Sequence, residues 1–209
     1  MITITELKQT GPETFLARFD NGEELKTTLN VVTDQSLFTG KKLDGKAFEA
    51  LRGASSLSRC KQRALRIIGA RAMSVKELTD RLTEKGELPE DAEAAAQWLL
   101  DMHLLDDRQY AGMCVRHYAA KGYGPGRIRN ELYRRGVPRD LWEEAMEELP
   151  EQDDQIDRLL RRKLRGEPAD KNELKKASDY LYRRGFRWEE IRAAIDRYQE
   201  ETEAEADGL

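Results

Sequence analysis

Two cysteines and two histidines in 209 residues leave little material for metal or redox chemistry. Cys60 and Cys114 are too few for a disulfide framework, which points to a reducing cytoplasm. Cys114-x-x-His117 offers two ligands, but no second pair lies at metal spacing, so a cysteine packed against a neighbouring helix is the stronger reading. Long apolar runs are also missing. Nothing approaches the roughly 20 residues that cross a bilayer, so no membrane partner is expected. The N-terminus MITITELKQ lacks the positive segment and apolar core of a secretory signal. No G-x-S-x-G elbow occurs, and no Ser/His/Asp arrangement can be assembled. The pair Asp106-Asp107 follows two leucines and precedes Arg-Gln-Tyr-Ala, which suits a helix cap better than acid–base work. The expectation is a protein that is not an enzyme, with no catalytic residue, cofactor or metal.

Charge is what the sequence has in excess. Charged residues make up 36% of the chain, against about 25% in typical globular proteins. The net charge is −4 and the pI about 5.5, which counts against a simple, uniformly basic nucleic-acid binding domain. The average hides strong banding. Arg108 to Arg139 holds eight Lys or Arg and one acid, Glu131, a balance of +7. Asp140 to Asp157 holds nine acids and no base. Bases return from Arg158 to Arg187. Such bands are either solvated helix faces or interaction surfaces.

The first fifty residues alternate with the period of a strand. Ile2 and Ile4 alternate with threonines, and Phe15, Ala17 and Phe19 share a face. Asn21-Gly22 is a favoured two-residue hairpin turn. Leu25, Thr27, Leu29 and Val31 would line the strand after it. Residues 1 to about 32 therefore read as a three-stranded antiparallel meander. The segment LDGKAFEALRG reads as a short helix that ends at Gly53 and covers the sheet. GASSLS reads as a linker.

From about Cys60 the period changes to 3.6 and the sequence repeats itself. ELTDRLTEKG, RIRNELYRRG and KASDYLYRRG place Leu78 and Leu82, Ile128 and Leu132, and Ala177 and Leu181 four apart. A glycine follows four residues later in each, at Gly86, Gly136 and Gly185, separated by 50 and 49 residues. A fixed period of this length marks a helical repeat. Each unit divides into three helices, roughly 60–71, 74–85 and 90–103; 107–121, 125–135 and 138–149; 153–165, 170–184 and 187–202. Ser74-x-x-Glu77 and Asp170-x-x-Glu173 are capping boxes, and Pro89 and Pro138 suit the start of a third helix. The expected fold is mainly α, an array of three tandem three-helix repeats preceded by a small antiparallel β-meander domain. Its boundaries are 1–53 for the meander and short helix, 54–59 for the linker, 60–107, 108–153 and 154–202 for the repeats, and 203–209 for an acidic, disordered tail.

The stretch KGYGPGRIRNEL, residues 121–132, resembles a phosphate-cradling loop. No strand precedes it, so neither the dinucleotide fingerprint nor the G-x-x-x-x-G-K-[ST] loop fits. It falls at the first-to-second helix joint of the middle unit, with Gly124 in the place Ser74 holds in the first. A helix N-terminus beside Arg127 leaves one weaker alternative, a backbone phosphate.

Two strings of residues carry a family resemblance. One is Arg71-x-x-Ser74-x-x-Glu77-Leu78-x-x-x-Leu82-x-x-Lys85-Gly86. The other is Asp106-Asp107-Arg-Gln-Tyr110-Ala111, then Gly122-x-Gly124-x-x-Arg127-Ile128 and Leu132-x-x-x-Gly136. In order and spacing they resemble the RecX proteins, from about residue 60 to 153 and more weakly in the third unit. The strand-rich extension resembles that of longer members. The resemblance implies a cytoplasmic regulator that binds the RecA–DNA filament and mostly restrains its ATPase and strand exchange, in recombinational repair and the SOS response. It implies as partners the RecA filament and the single-stranded or duplex DNA within it, with DNA bound only weakly by the chain on its own, and no cofactor; nothing calls for more than a monomer. Arg116, Lys121, Arg127, Arg129, Arg134 and Arg135 are the filament- or DNA-contact candidates, because all lie in the +7 stretch. Each also reads as an ordinary solvated base. Tyr110, Tyr118, Tyr133 and Trp142 lie among them and could stack on bases, although Tyr110 and Tyr118, eight apart, suit a shared core face. The rival functions are a helix-turn-helix-like transcriptional regulator and an adaptor that does not touch DNA.

Overall fold

The computed structural model describes residues 1–149 and 152–207. They form two compact units, Met1–Asp106 and Asp107–Leu209. The last two residues of the expected tail, 208 and 209, lie outside the described residues.

The first unit opens with four strands, β1 (Ile2–Gly11), β2 (Thr14–Phe19), β3 (Glu24–Thr28) and β4 (Lys42–Leu43), in the antiparallel order β3-β2-β1-β4. The short β4 is one strand more than the meander expected. Gly22 takes a left-handed conformation (φ 83°), while Asn21 does not, and three residues rather than two make the turn before the Phe19 amide meets the Glu23 carbonyl (3.0 Å). The expected third strand also stops early. Thr28 caps a short helix, α1 (Leu29–Asp34), its hydroxyl accepting from the Val31 amide (3.5 Å), so Leu29 and Val31 are helical. Local side-chain capping by threonine outweighs its β-preference there.

The largest correction concerns the linker. Residues 54–59 are helical, inside the 26-residue α2 (Gly45–Ala70). Gly53 does not end a helix, and GASSLS packs instead of spanning open space. Ser55 is fully buried and donates to Thr27 Oγ1 (2.8 Å), Ser58 pairs with Thr28 Oγ1 (2.6 Å), and Ser56 donates to Asp91. Small hydroxylated side chains let the helix approach β3 on one side and the helix carrying Asp91 on the other. The same α2 places Phe48 and Leu51 in the core of the sheet domain and Cys60 and Ala64 in the core of the first repeat. The extension and the repeat are thus joined by continuous helix.

The repeats follow in order. The first is completed by α3 (Val75–Glu84) and α4 (Pro89–Asp101). The second has α5 (Asp107–Ala120), α6 (Pro125–Arg134) and α7 (Trp142–Met146), the third α8 (Gln152–Leu164), α9 (Lys171–Arg183) and α10 (Trp188–Asp207). In the second repeat the third helix is shorter than the expected 138–149: a 3₁₀ turn, Arg139–Leu141, precedes α7. The tail expected to be disordered from 203 continues as helix through Asp207.

The periodic glycines explain why the middle helices end alike. Gly86, Gly136 and Gly185 all have positive φ (85°, 67° and 90°). The residue after each donates back to the apolar residue four before the glycine: Glu87 to Leu82, Val137 to Leu132 and Phe186 to Leu181, at 3.1, 3.1 and 3.4 Å. This closure satisfies helix-end carbonyls and turns the chain into the next helix. The paired residues Leu78/Leu82, Ile128/Leu132 and Ala177/Leu181 are all fully buried, each set in the core of its own repeat. Burying a leucine or isoleucine side chain contributes about 1.5–3 kcal/mol.

Candidate functional site

Inside the second unit, the second and third repeats meet backbone to backbone. α6 lacks a side-chain cap because its N-cap is Gly124. The amides of Gly124 and Gly126 donate instead to the carbonyls of Arg184 (2.8 Å) and Gly185 (2.9 Å), at the end of α9. Orphan donors at one helix start are met by orphan acceptors at another helix end. The approach needs glycine on both sides. A Cβ at Gly124 would lie 2.7 Å from the Gly185 carbonyl, and one at Gly185 would lie 2.2 Å from the Arg127 amide nitrogen. Arg184 adds two hydrogen bonds, both 2.9 Å, to the carbonyls of Lys121 and Gly122. KGYGPGRIRNEL is therefore a joint between repeats. The donors at Gly124 and Gly126 that could have held a phosphate are spent on protein carbonyls.

Most of the six candidate bases have partners within their own repeat. Arg116 pairs with Glu148. Arg127 and Arg134 share Glu131, at 3.1 and 3.5 Å, and Arg129 reaches Glu143 at 3.4 Å. Arg108 pairs with Glu144 (2.8 Å) in the same way. The basic band of α5 and α6 thus faces the acidic band that runs through α7. Arg135 points inward: its guanidinium donates to the hydroxyls of Tyr110 and Tyr118, both at 2.8 Å. Burial works against its charge, yet the Tyr118 and Tyr110 hydroxyls hold its pKa above the ordinary arginine value. Tyr110 and Tyr118 themselves are buried in the repeat's core, as their eight-residue spacing suggests. Lys121 is exposed and has no acidic partner among the described residues; its ammonium lies 5.6 Å from the Tyr118 ring centre.

Two candidates do come together. Arg116 and Lys121 line a cleft of about 740 Å³, and Arg158 and Arg162 of α8 complete it. Gln155 holds the cleft wall by donating to the Ala119 carbonyl (2.6 Å). Among the described residues Lys121, Arg158 and Arg162 form no ion pair, so three positive charges stand without a described carboxylate partner beside the paired Arg116. Arg158 and Arg162 were outside the candidate set. The return of basic residues at Arg158 was the signal for them, but their proximity to Lys121 depends on how the third repeat folds back.

Nucleophilic chemistry has little support at either thiol. Cys60 is fully buried, and burial with Glu87 and Asp91 nearby pushes its thiol up to about 11. Cys114 is buried in the core of the second repeat. Among the described residues no group of three or more His, Cys, Asp or Glu is placed to hold a metal, and no helix is long and apolar enough to cross a membrane.

Models of the first, second and third three-helix domains of RecX match residues 60–99, 106–146 and 151–195, more than half of the chain. The chain belongs to the RecX family. Regulatory protein RecX of Xanthomonas axonopodis pv. citri is 38% identical over 135 residues, covering 64% of this chain and 83% of that protein. Regulatory protein RecX of Halorhodospira halophila is 32% identical over 166 residues, covering 76% and 94%. The fold agrees as well. A crystal structure of regulatory protein RecX superposes with a TM-score of 0.73 over 94% of this chain and all of that one, at 22% identity. RecX from Lactobacillus salivarius gives 0.63 over 69% and 97%, at 21%. Relatives of this RecX-family chain are named regulatory proteins, and three RecX repeats account for its helical body.

Proposed function

We propose that this RecX-family protein regulates recombination by binding the RecA–DNA filament and restraining its ATPase and strand exchange. The observation that carries the reading is the cleft at the joint of the second and third repeats. Three bases with no ion pair among the described residues, Lys121, Arg158 and Arg162, converge there on a chain whose net charge is negative. Local positive potential on an acidic protein favours a partner that shows both phosphates and carboxylates, with complementary charge setting register and association rate. Family membership supports the filament as that partner. A transcriptional regulator would need a recognition helix free to enter the major groove, and the start of α6 is occupied by α9. The filament interaction is cytoplasmic and needs no cofactor.

The test is co-sedimentation with RecA filaments across a salt series. Replacing Lys121, Arg158 and Arg162 by glutamine is expected to weaken pelleting by tenfold or more at moderate salt and to relieve inhibition of the filament's ATPase. An unchanged binding curve, with the variant folded, removes the cleft from the contact. A wild-type chain that never pellets with filaments removes the function.

A further inference from the structure

The sheet of the first unit keeps one open edge. β1 is ten residues long, yet on its outer side the two-residue β4 pairs only with Ile2 and Thr3. The cover ends one residue later. There the Ile4 amide donates to the Lys41 carbonyl (2.9 Å), and the Ile4 carbonyl accepts from the Gly40 amide (2.7 Å). From Glu6 to Gly11 β1 pairs with β2 alone.

The pairing fixes which backbone groups face outward. Successive residues of an antiparallel strand turn their amide and carbonyl to opposite sides. The Phe19 amide donates to the Glu23 carbonyl and the Glu13 carbonyl accepts from the Leu29 amide, both at 3.0 Å. Phe15, Ala17 and Phe19 therefore turn toward β3, and Leu16 and Arg18 toward β1. Glu6 and Lys8, opposite Arg18 and Leu16, bond to β2, whereas Leu7 and Gln9, opposite Ala17 and Phe15, turn away from it. The register shift between Ile4 and Glu6 is what brings Leu7 into that position. Among the described residues no group accepts from or donates to the outward backbone of Leu7 and Gln9. An unpaired edge of this kind is a template for another strand.

We infer that this edge pairs with the same edge of a second copy of the chain, antiparallel about a two-fold axis at Leu7. Charge selects that register. Leu7 against Leu7 sets Glu6 opposite Lys8 of the second copy, and by symmetry Lys8 opposite its Glu6, so two opposite-charge pairs form at once. Leu7 against Gln9 would set Lys8 against Lys8, and Gln9 against Gln9 would set Lys8 against Thr10. Glu6 has a carboxylate oxygen to spare, because Arg18 takes only Oε2 (2.5 Å). Phe38, a large apolar residue left 58% exposed, belongs to the turn that ends the β4 cover, next to the place of the incoming strand. So short a contact buries less than about 1,200 Å², which makes the dimer weak and concentration-dependent. The inference stands apart from the filament reading, because the edge lies in the first unit and needs no recombinase.

The test is sedimentation equilibrium of the full chain, alone, over a concentration series. A monomer–dimer equilibrium is expected. Glu6→Lys sets like charges against Lys8, Lys8→Glu sets like charges against Glu6, and each should weaken self-association about tenfold. An equimolar mixture of the two variants should associate as the wild type does, because opposite charges then face each other in both pairs. Loss of the Arg18 contact in Glu6→Lys cannot produce that rescue. In the wild-type chain, hydrogen exchange at the Leu7 amide should slow as concentration rises, while the Lys8 amide, already bonded to β2, should not change; this readout needs no variant to fold. A wild-type chain that stays monomeric at millimolar concentration overturns the inference. So do variants that associate like the wild type, a mixture that fails to recover, or a Leu7 amide indifferent to concentration.

Discussion

Two basic windows, Ala50 to Lys76 around the second half of α2 and Arg108 to Arg139 around α5 and α6, carry the same balance, +7, and the fold uses them differently. In the second repeat the acids that follow in sequence return to face the bases. Arg108, Arg116 and Arg129 meet Glu144, Glu148 and Glu143, and Arg135 is drawn into the core by two tyrosines. In and just after α2 some bases are also engaged, Arg52 with Glu23 and Arg71 with Glu77. Arg59 and Arg66 meet no carboxylate among the described residues, and Arg81, Lys85 and Lys26 line the same clefts. The third helix of the first repeat shares an apolar core with α2 through Ala92, Ala95, Ala96 and Leu99 and turns Asp91 to a serine, Ser56, whereas α7 turns glutamates toward arginines of its neighbours. The charge of a window therefore says little about the surface potential. The side on which the counter-charges land decides it.

The contrast can be broken most forcefully at the repeat joint. If Arg127 belongs to a packed joint, Gly185→Ala must destabilise the second unit, because it forces a side chain to φ 90° and into the Arg127 backbone. The left-handed backbone alone costs about 1–3 kcal/mol, and overpacking adds about 1–3 more. Urea denaturation followed by hydrogen exchange should place the loss in residues after Asp107. A smaller effect is expected at Arg135. Arg135→Met should cost about 1–3 kcal/mol by stripping the buried hydroxyls of a donor, and Arg135→Lys should not restore it, since one ammonium lacks the planar fork that reaches both rings. Neither change should alter the salt slope of DNA binding; a flattened slope would return Arg135 to the contact surface. The smallest effect belongs to Arg108–Glu144, whose side chains are 67% and 50% exposed. A double-mutant cycle should give a coupling of about 0–1 kcal/mol. A larger coupling would mean that the charge bands stabilise the repeat instead of merely neutralising it.

Much of the fold was legible because it is locally specified. Leu78/Leu82, Ile128/Leu132 and Ala177/Leu181 announced buried stripes, and the glycines after them announced helix ends. The linker was misread because Gly53, Ser55, Ser56 and Ser58 look the same whether they face solvent or let α2 approach β3 and α4. The third strand was misread because Thr27 and Thr28 suit both a strand and a cap. At the candidate site, Arg116 and Lys121 came from the sequence, but Arg158 and Arg162 joined them only when α8 folded back across the joint. Nothing in the window 108–139 distinguished the inward Arg135 from the outward Arg134.

Period, caps and glycine spacing follow from hydrogen bonds and apolar contacts between residues no more than five apart, so the sequence alone determined three helical repeats behind a small sheet. Which positive charges remain open to a partner depends on contacts far longer in range. Arg108 meets a glutamate 36 residues away, and Arg184 reaches a carbonyl 63 residues away. Only the tertiary structure brings such groups together, because an ion pair depends on distance through space while a helix depends on order along the chain.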